Sequence, residues 1–103
     1  MADTKVTVLA RFKAREGMEE KAKQAILACV APTRAEAACI NYDLHQSKDD
    51  KRLFMLYENW QSKELLEQHL ATPHLKGLIA KADELFSEPI DISLWEMISE
   101  PAQ

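Results

Sequence analysis

The sequence predicts an α+β fold of the ferredoxin-like kind, an antiparallel sheet with helices on one face in the order strand, helix, strand, strand, helix, strand. Three observations carry that expectation. The first segment alternates with a period of two, the second bears apolar residues at helical spacing, and two more alternating runs flank a polar tip. The chain of 103 residues suits one domain over 1–103. Such a domain buries about two thirds of the surface its unfolded chain exposes.

Lys5 to Phe12 puts Val6, Val8, Ala10 and Phe12 on one side, the alternation of a half-buried strand. Gly17 ends the link that follows. From Met18 to about Ala35 one stripe collects Met18, Ala22, Ala25, Ile26, Cys29 and Val30, and Glu19 and Glu20 fall in the first turn, where a helix favours negative charge. Pro32 kinks or ends its last part. Cys39 to Ser47 and Lys51 to Trp60 read as a hairpin around the tip Lys48-Asp49-Asp50-Lys51. Ser62 then caps a helix over Lys63 to Ala71, with Leu65, Leu66 and Leu70 at helical spacing. His69 lies four residues after Leu65 and three after Leu66, so it points inward. Thr72 and Pro73 restart a helix that runs to Phe86, because proline at the first helical position loses no hydrogen bond. Pro89 precedes the last strand, Ile90 to Ile98. No internal repeat, low-complexity segment or interdomain linker is visible.

Composition narrows the function. A net charge of −4, from 17 acidic and 13 basic residues mixed along the chain, leaves no basic footprint for nucleic acid. No apolar run approaches a membrane span, and the N-terminus lacks the layout of a signal peptide, so the expected setting is cytoplasmic and off the membrane. Cys29 and Cys39 are too few and too far apart for a zinc cluster and read as small core residues.

Strand alternation then sorts the hairpin. If Lys48 faces Lys51, one face collects Cys39, Asn41, Asp43 and His45 opposite Trp60, Glu58, Leu56 and Phe54. The other takes Ile40, Tyr42, Leu44 and Gln46 with Leu53, Met55, Tyr57 and Asn59. It is mostly apolar. Helices cover one face of so small a sheet, so the second apolar face is expected to meet a second copy of the chain, as a homodimer. A bulge would exchange these assignments.

Three pieces of the chain carry a family resemblance: Arg34 through His45, then Tyr57-Glu58-Asn59-Trp60, and above all His69 through Lys76. In this order and spacing the chain resembles the antibiotic biosynthesis monooxygenase domains, including the quinol monooxygenases, over nearly its whole length. Ala38 stands where the family usually has glycine, which puts the local turn in question. The resemblance implies a dimeric α/β barrel, its two sheets packed together, with a pocket between sheet and helices in each subunit. It also implies the use of O₂ without flavin, haem or metal, so no cofactor is expected, and no Gly-rich phosphate loop is present. An electron-rich quinol or polycyclic phenol, once deprotonated, can give an electron to O₂ itself. The protein then supplies a base, a neutral hydrogen-bonding group and a dry cavity. His69 is the candidate base, because an inward imidazole titrates near neutral pH. Glu58 is the candidate to orient it or bind a substrate hydroxyl, and Trp60 the flat wall for an aromatic ring. Asn41 and His45 are donors along the neighbouring strand.

Each assignment has a plainer counterpart. A lone inward histidine is more often a satisfied core residue than a catalyst. His74 reads as a helix-start residue rather than a ligand, since zinc pairs on one helix prefer a spacing of four and a helix break separates it from His69. Trp60 serves core packing first, and Glu58 pairs as well with Arg11 or another base on an adjacent strand. The rival functions are an isomerase of a small signalling metabolite, which needs the same histidine but no O₂, and a dimeric module that binds a ligand without turnover. Haem-degrading relatives resemble a pattern with an asparagine in the first strand and a late helical histidine, and this chain has neither.

Overall fold

A computed structural model describes residues 5–100. The elements are β1 (Val6–Lys13), α1 (Glu19–Leu27), α2 (Val30–Arg34), β2 (Cys39–Gln46), β3 (Leu53–Trp60), α3 (Lys63–Leu70), α4 (Pro73–Ala80), α5 (Ala82–Leu85) and β4 (Asp91–Trp95). The strands form one antiparallel sheet in the order β2-β3-β1-β4. That is the ferredoxin-like arrangement, as expected from the element order. Residues 1–4 and 101–103 of the expected domain lie outside the described residues.

Both predicted helical stretches are broken, each for a local reason. The first helix stops at Leu27 and resumes at Val30. Pro32 has no N–H for the Ala28 carbonyl four residues back, and its ring would collide with that carbonyl, so the break falls at Ala28–Cys29. The chain enters α1 through Gly17, whose φ of 85° is a backbone state that glycine alone adopts readily. The second stretch divides at Thr72–Pro73, as expected, and again at Lys81 before the short α5. Ser62 caps α3, its hydroxyl accepting the Leu65 N–H at 3.2 Å. No non-glycine residue among those described has a positive φ, so Ala38 occupies its turn without left-handed strain.

One face of the sheet is closed by the helices. Val8, Ala10 and Phe12 of β1 and Phe54, Leu56 and Trp60 of β3 pack there against Ala22 and Ile26 of α1, Leu66 of α3, and Leu75 and Leu78 of α4. The pairs Val6–Trp60, Val8–Glu58, Ala10–Leu56 and Phe12–Phe54 put these strands in register on that face. Ile92 and Leu94 of β4 pair with Ala10 and Val8 and extend the same face to the sheet edge, half exposed.

The expected hairpin register is corrected by one residue. Cys39 does pair with Trp60, but the ladder then shifts, so that Asn41 faces Asn59, Tyr42 faces Glu58 and Leu44 faces Leu56. Ile40 is the extra residue of a β-bulge, and beyond it every side chain of β2 turns over. Tyr42 is therefore buried beneath the helices and Leu44 packs on the core, instead of joining an outer apolar face. Asn41, Asp43 and His45 move to the outer face, with Met55, Tyr57 and Asn59 of β3. That face also carries Leu9 and Arg11 of β1 and Trp95 of β4, and it is more polar than expected.

Removing the Ser62 cap isolates the contribution of α3. Ser62→Ala is expected to lower stability by about 1 kcal/mol in urea denaturation with an unchanged slope.

Candidate active site

The space between sheet and helices is an apolar cavity of about 90 Å³. Val8, Ala10 and Leu56 form its floor, Leu66, Leu75 and Leu78 its cover, and Ile92 and Leu94 stand at the sheet-edge side. Three polar side chains reach its lining, Tyr42, Glu58 and His69. All three are buried.

His69 faces inward because α3 is capped at Ser62 and presents Leu66 and His69 on one stripe. Its imidazole is only 2% exposed. Trp60 stacks on it with ring centroids 4.4 Å apart and a 34° tilt, and the Tyr42 ring meets it edge-on at 5.6 Å. Nδ1 of His69 lies 2.8 Å from Oε2 of Glu36, a residue that does not line the cavity. A carboxylate oxygen accepts, so Nδ1 carries the proton and the lone pair of the neutral ring is left on Nε2. The same Glu36 oxygen takes a second bond, from Nε2 of His74 at 2.9 Å. The Thr72 hydroxyl donates to the His69 carbonyl at 2.7 Å and lies 3.2 Å from Nε2 of His74. The break between α3 and α4 thus folds both histidines onto one carboxylate.

Glu58 is held from the other side, where the indole N–H of Trp60 donates to its Oε1 at 2.9 Å. Burial pushes the Glu58 carboxyl up to about 7, the Trp60 bond opposes that shift, and the Glu36 charge adds to it. Burial pulls His69 below the ordinary histidine value, while the bond to Glu36 works against the fall. A base that is neutral in the physiological range therefore shares a cavity with an acid that keeps much of its proton there. Environments that move two titrating groups in opposite directions are how one site holds both roles. Burial also raises the Tyr42 phenol, which stays protonated as a neutral donor. The Cys39 thiol is pushed up to about 11, chiefly by burial, and remains a thiol.

The cavity thus brings together His69 and Glu58 but not the other expected site residues. Trp60 is fully buried behind them and serves as the support of both, not as the cavity wall. Asn41 and His45 sit on the opposite face of the sheet because of the bulge. There Asn41 bonds Asp43, Asn59 and the Tyr57 carbonyl, and His45 bonds the Asp43 carbonyl. Sequence reasoning missed Glu36 and Tyr42. Glu36 lies in the link between α2 and β2, outside any periodic element, and no pattern announces it. Tyr42 was hidden by the register shift.

The antiparallel sheet, the split helix and the pocket between them also have counterparts among known proteins. Residues 5–81 match antibiotic biosynthesis monooxygenase, and the chain belongs to that family. It is 33% identical over 95 residues to Rv0793 of Mycobacterium tuberculosis, whose name is "Putative monooxygenase", across 92% of this chain and 93% of that protein. The solved structure of Rv0793 aligns with a TM-score of 0.88 at 31% identity, covering 95% of this chain and 99% of its own. PA3566 of Pseudomonas aeruginosa also aligns with a TM-score of 0.88, at 33% identity over 93% of this chain and 96% of its own. Family and relatives support a monooxygenase-like role for the protein, and with it an enzyme. No helix among the described residues is long and apolar enough to cross a membrane.

Glu58 sets a testable pH dependence. A carboxyl whose folded-state pKa is raised holds its proton more tightly in the folded than in the unfolded protein, so its contribution to stability falls as pH rises from about 4.5 to about 7. Glu58→Gln is expected to gain on wild type across that window, by roughly 3 kcal/mol at most. Urea melts of both proteins at several pH values measure the gap, and a gap that does not change with pH would refute the assignment.

Proposed function

We propose that the protein is a cofactor-independent monooxygenase or oxidase that acts on a quinol or polycyclic phenol with O₂. One observation carries the reading: a neutral His69, its Nδ1 tied to Glu36 and its Nε2 lone pair left over, shares an apolar cavity with a half-protonated Glu58. The apolar walls suit a flat aromatic substrate, with Glu58 and His69 as the titrating groups that reach its space.

The chemistry follows from the substrate. His69 takes a proton from the phenol, or from the carbon of its keto form, and the resulting anion passes one electron to O₂. Collapse of the radical pair forms a C–O bond and a peroxide, to whose outer oxygen His69 returns the proton. His69 then removes the hydrogen left on the oxygenated carbon, as a proton, while the O–O bond breaks, and the departing hydroxide leaves with the Glu58 proton as water. The substrate has exchanged two hydrogens for one oxygen, and proton transfer from His69 to Glu58 resets the site. A second reading, an isomerase, rests on the same acid and base pair and consumes no oxygen.

The outer sheet face is the natural contact for a second copy, in a homodimer. Leu9, Met55, Tyr57 and Trp95 share it, with Tyr57 and Trp95 exposed. Light scattering at micromolar concentration is expected to give twice the chain mass, and Met55→Lys to halve it by placing an unpaired charge in the contact. A monomer mass for wild type would contradict the assembly.

An oxygen electrode and a panel of hydroquinones and anthrone-like phenols test the activity. His69→Ala is expected to cut turnover about a hundredfold or more while melting like a folded protein. The pH profile of kcat/KM is expected to be bell-shaped. It rises where His69, with its lowered pKa, loses a proton, and falls near pH 7 as Glu58 ionises. Glu58→Gln removes the falling limb. Product formation without oxygen uptake would support the isomerase instead.

A further inference from the structure

We propose that Glu36, His69 and His74 form a binding site for one divalent metal ion of the zinc class, and that its occupancy silences His69 as a base. The metal site stands on geometry alone, and the silencing rests on the function proposed above. The three side chains come from separate segments, the link before β2, the end of α3 and the start of α4, yet their ligand atoms all lie within 4.8 Å of one another. Nδ1 of His69 and Nε2 of His74 both aim at one oxygen, at 2.8 and 2.9 Å. With metal–nitrogen and metal–oxygen bonds of about 2.1 Å, ligand atoms stand about 3.0 Å apart at a right angle and about 3.4 Å apart in a tetrahedron. The two nitrogen–oxygen separations thus stand within about half an ångström of a coordination sphere, and the two nitrogens, no more than 4.8 Å apart, close on the ion that replaces the two shared protons.

Two imidazoles and one carboxylate are donors of the borderline kind that zinc, cobalt and nickel ions take, with positions left for water. Glu36 and His74 are each about one fifth exposed, which gives an ion a path from solvent, while His69 closes the inner side. The Thr72 hydroxyl, its proton given to the His69 carbonyl and its oxygen 3.2 Å from Nε2 of His74, stands ready to accept from a metal-bound water.

Occupancy reverses the tautomer of His69. Nδ1 now donates its proton to Glu36; once it gives its lone pair to a metal, a neutral ring must carry the proton on Nε2. The cavity then meets an N–H in place of a lone pair, and no base remains for the substrate. Glu36 and His74 do not line the cavity, so an ion held between them and His69 blocks proton transfer from outside the substrate's space.

The test is a zinc titration of the whole protein by calorimetry, with Co²⁺ absorbance as a second probe of coordination. One Zn²⁺ per chain is expected, accompanied by a raised Tm. Glu36→Gln and His74→Ala, each first shown to be folded by its melt, are expected to weaken binding at least about tenfold. Cys39→Ser is expected to bind like wild type. Absent binding in wild type, undiminished affinity in both ligand variants, or loss of binding in Cys39→Ser would overturn the site. The ¹⁵N resonances of His69 read the switch without any turnover: zinc is expected to move the ring proton to Nε2. A ring that binds zinc and keeps Nδ1 protonated would overturn it.

Discussion

The site depends on one hydrogen bond, from Nδ1 of His69 to Glu36. An imidazole buried in an apolar cavity without a partner would leave a polar N–H unsatisfied, at a cost of about 1–3 kcal/mol. Glu36 removes that cost and at the same time chooses the tautomer. The rest of the local structure serves this contact. The Ser62 cap starts α3 at the phase that turns His69 inward, and the stop at Thr72–Pro73 brings His74 to the same carboxylate. Trp60 holds the ring plane from the sheet side and reaches across to Glu58.

The environment works in opposite senses on the two titrating groups because burial penalises charge of either sign. A histidine that avoids charge becomes a neutral base, and a glutamic acid that avoids charge keeps its proton. One apolar cavity therefore holds a neutral imidazole beside a carboxyl that keeps much of its proton. The partial offsets matter as well. The bond to Glu36 works against the fall of His69, and the bond from the Trp60 indole works against the rise of Glu58.

Much of the fold was legible in the sequence, since it rests on period-two and helical patterns and on Ser62, Thr72 and Pro73, whose effects are local. His69 was legible as a polar residue on the inward stripe of its helix, whereas Glu58 was singled out through the family resemblance, and both line the cavity. The errors came from features that leave no periodic trace. The bulge at Ile40 turned β2 over, exchanging Tyr42 for Asn41 and His45 at the sheet's inner face. The break before α2 was legible only by reading Pro32 back to the carbonyl it leaves bare at Ala28. Glu36 became visible only when a loop, a helix end and a helix start were brought together in space, which is a property of tertiary structure.

The central claim is that His69 acts by making the substrate anion, and a series of phenols of falling pKa tests it most directly. The ratio of kcat/KM for wild type to that for His69→Ala should be largest for the weakest acid and should shrink toward one as the substrate arrives already ionised. A ratio that stays constant across the series would show that His69 does something other than remove that proton.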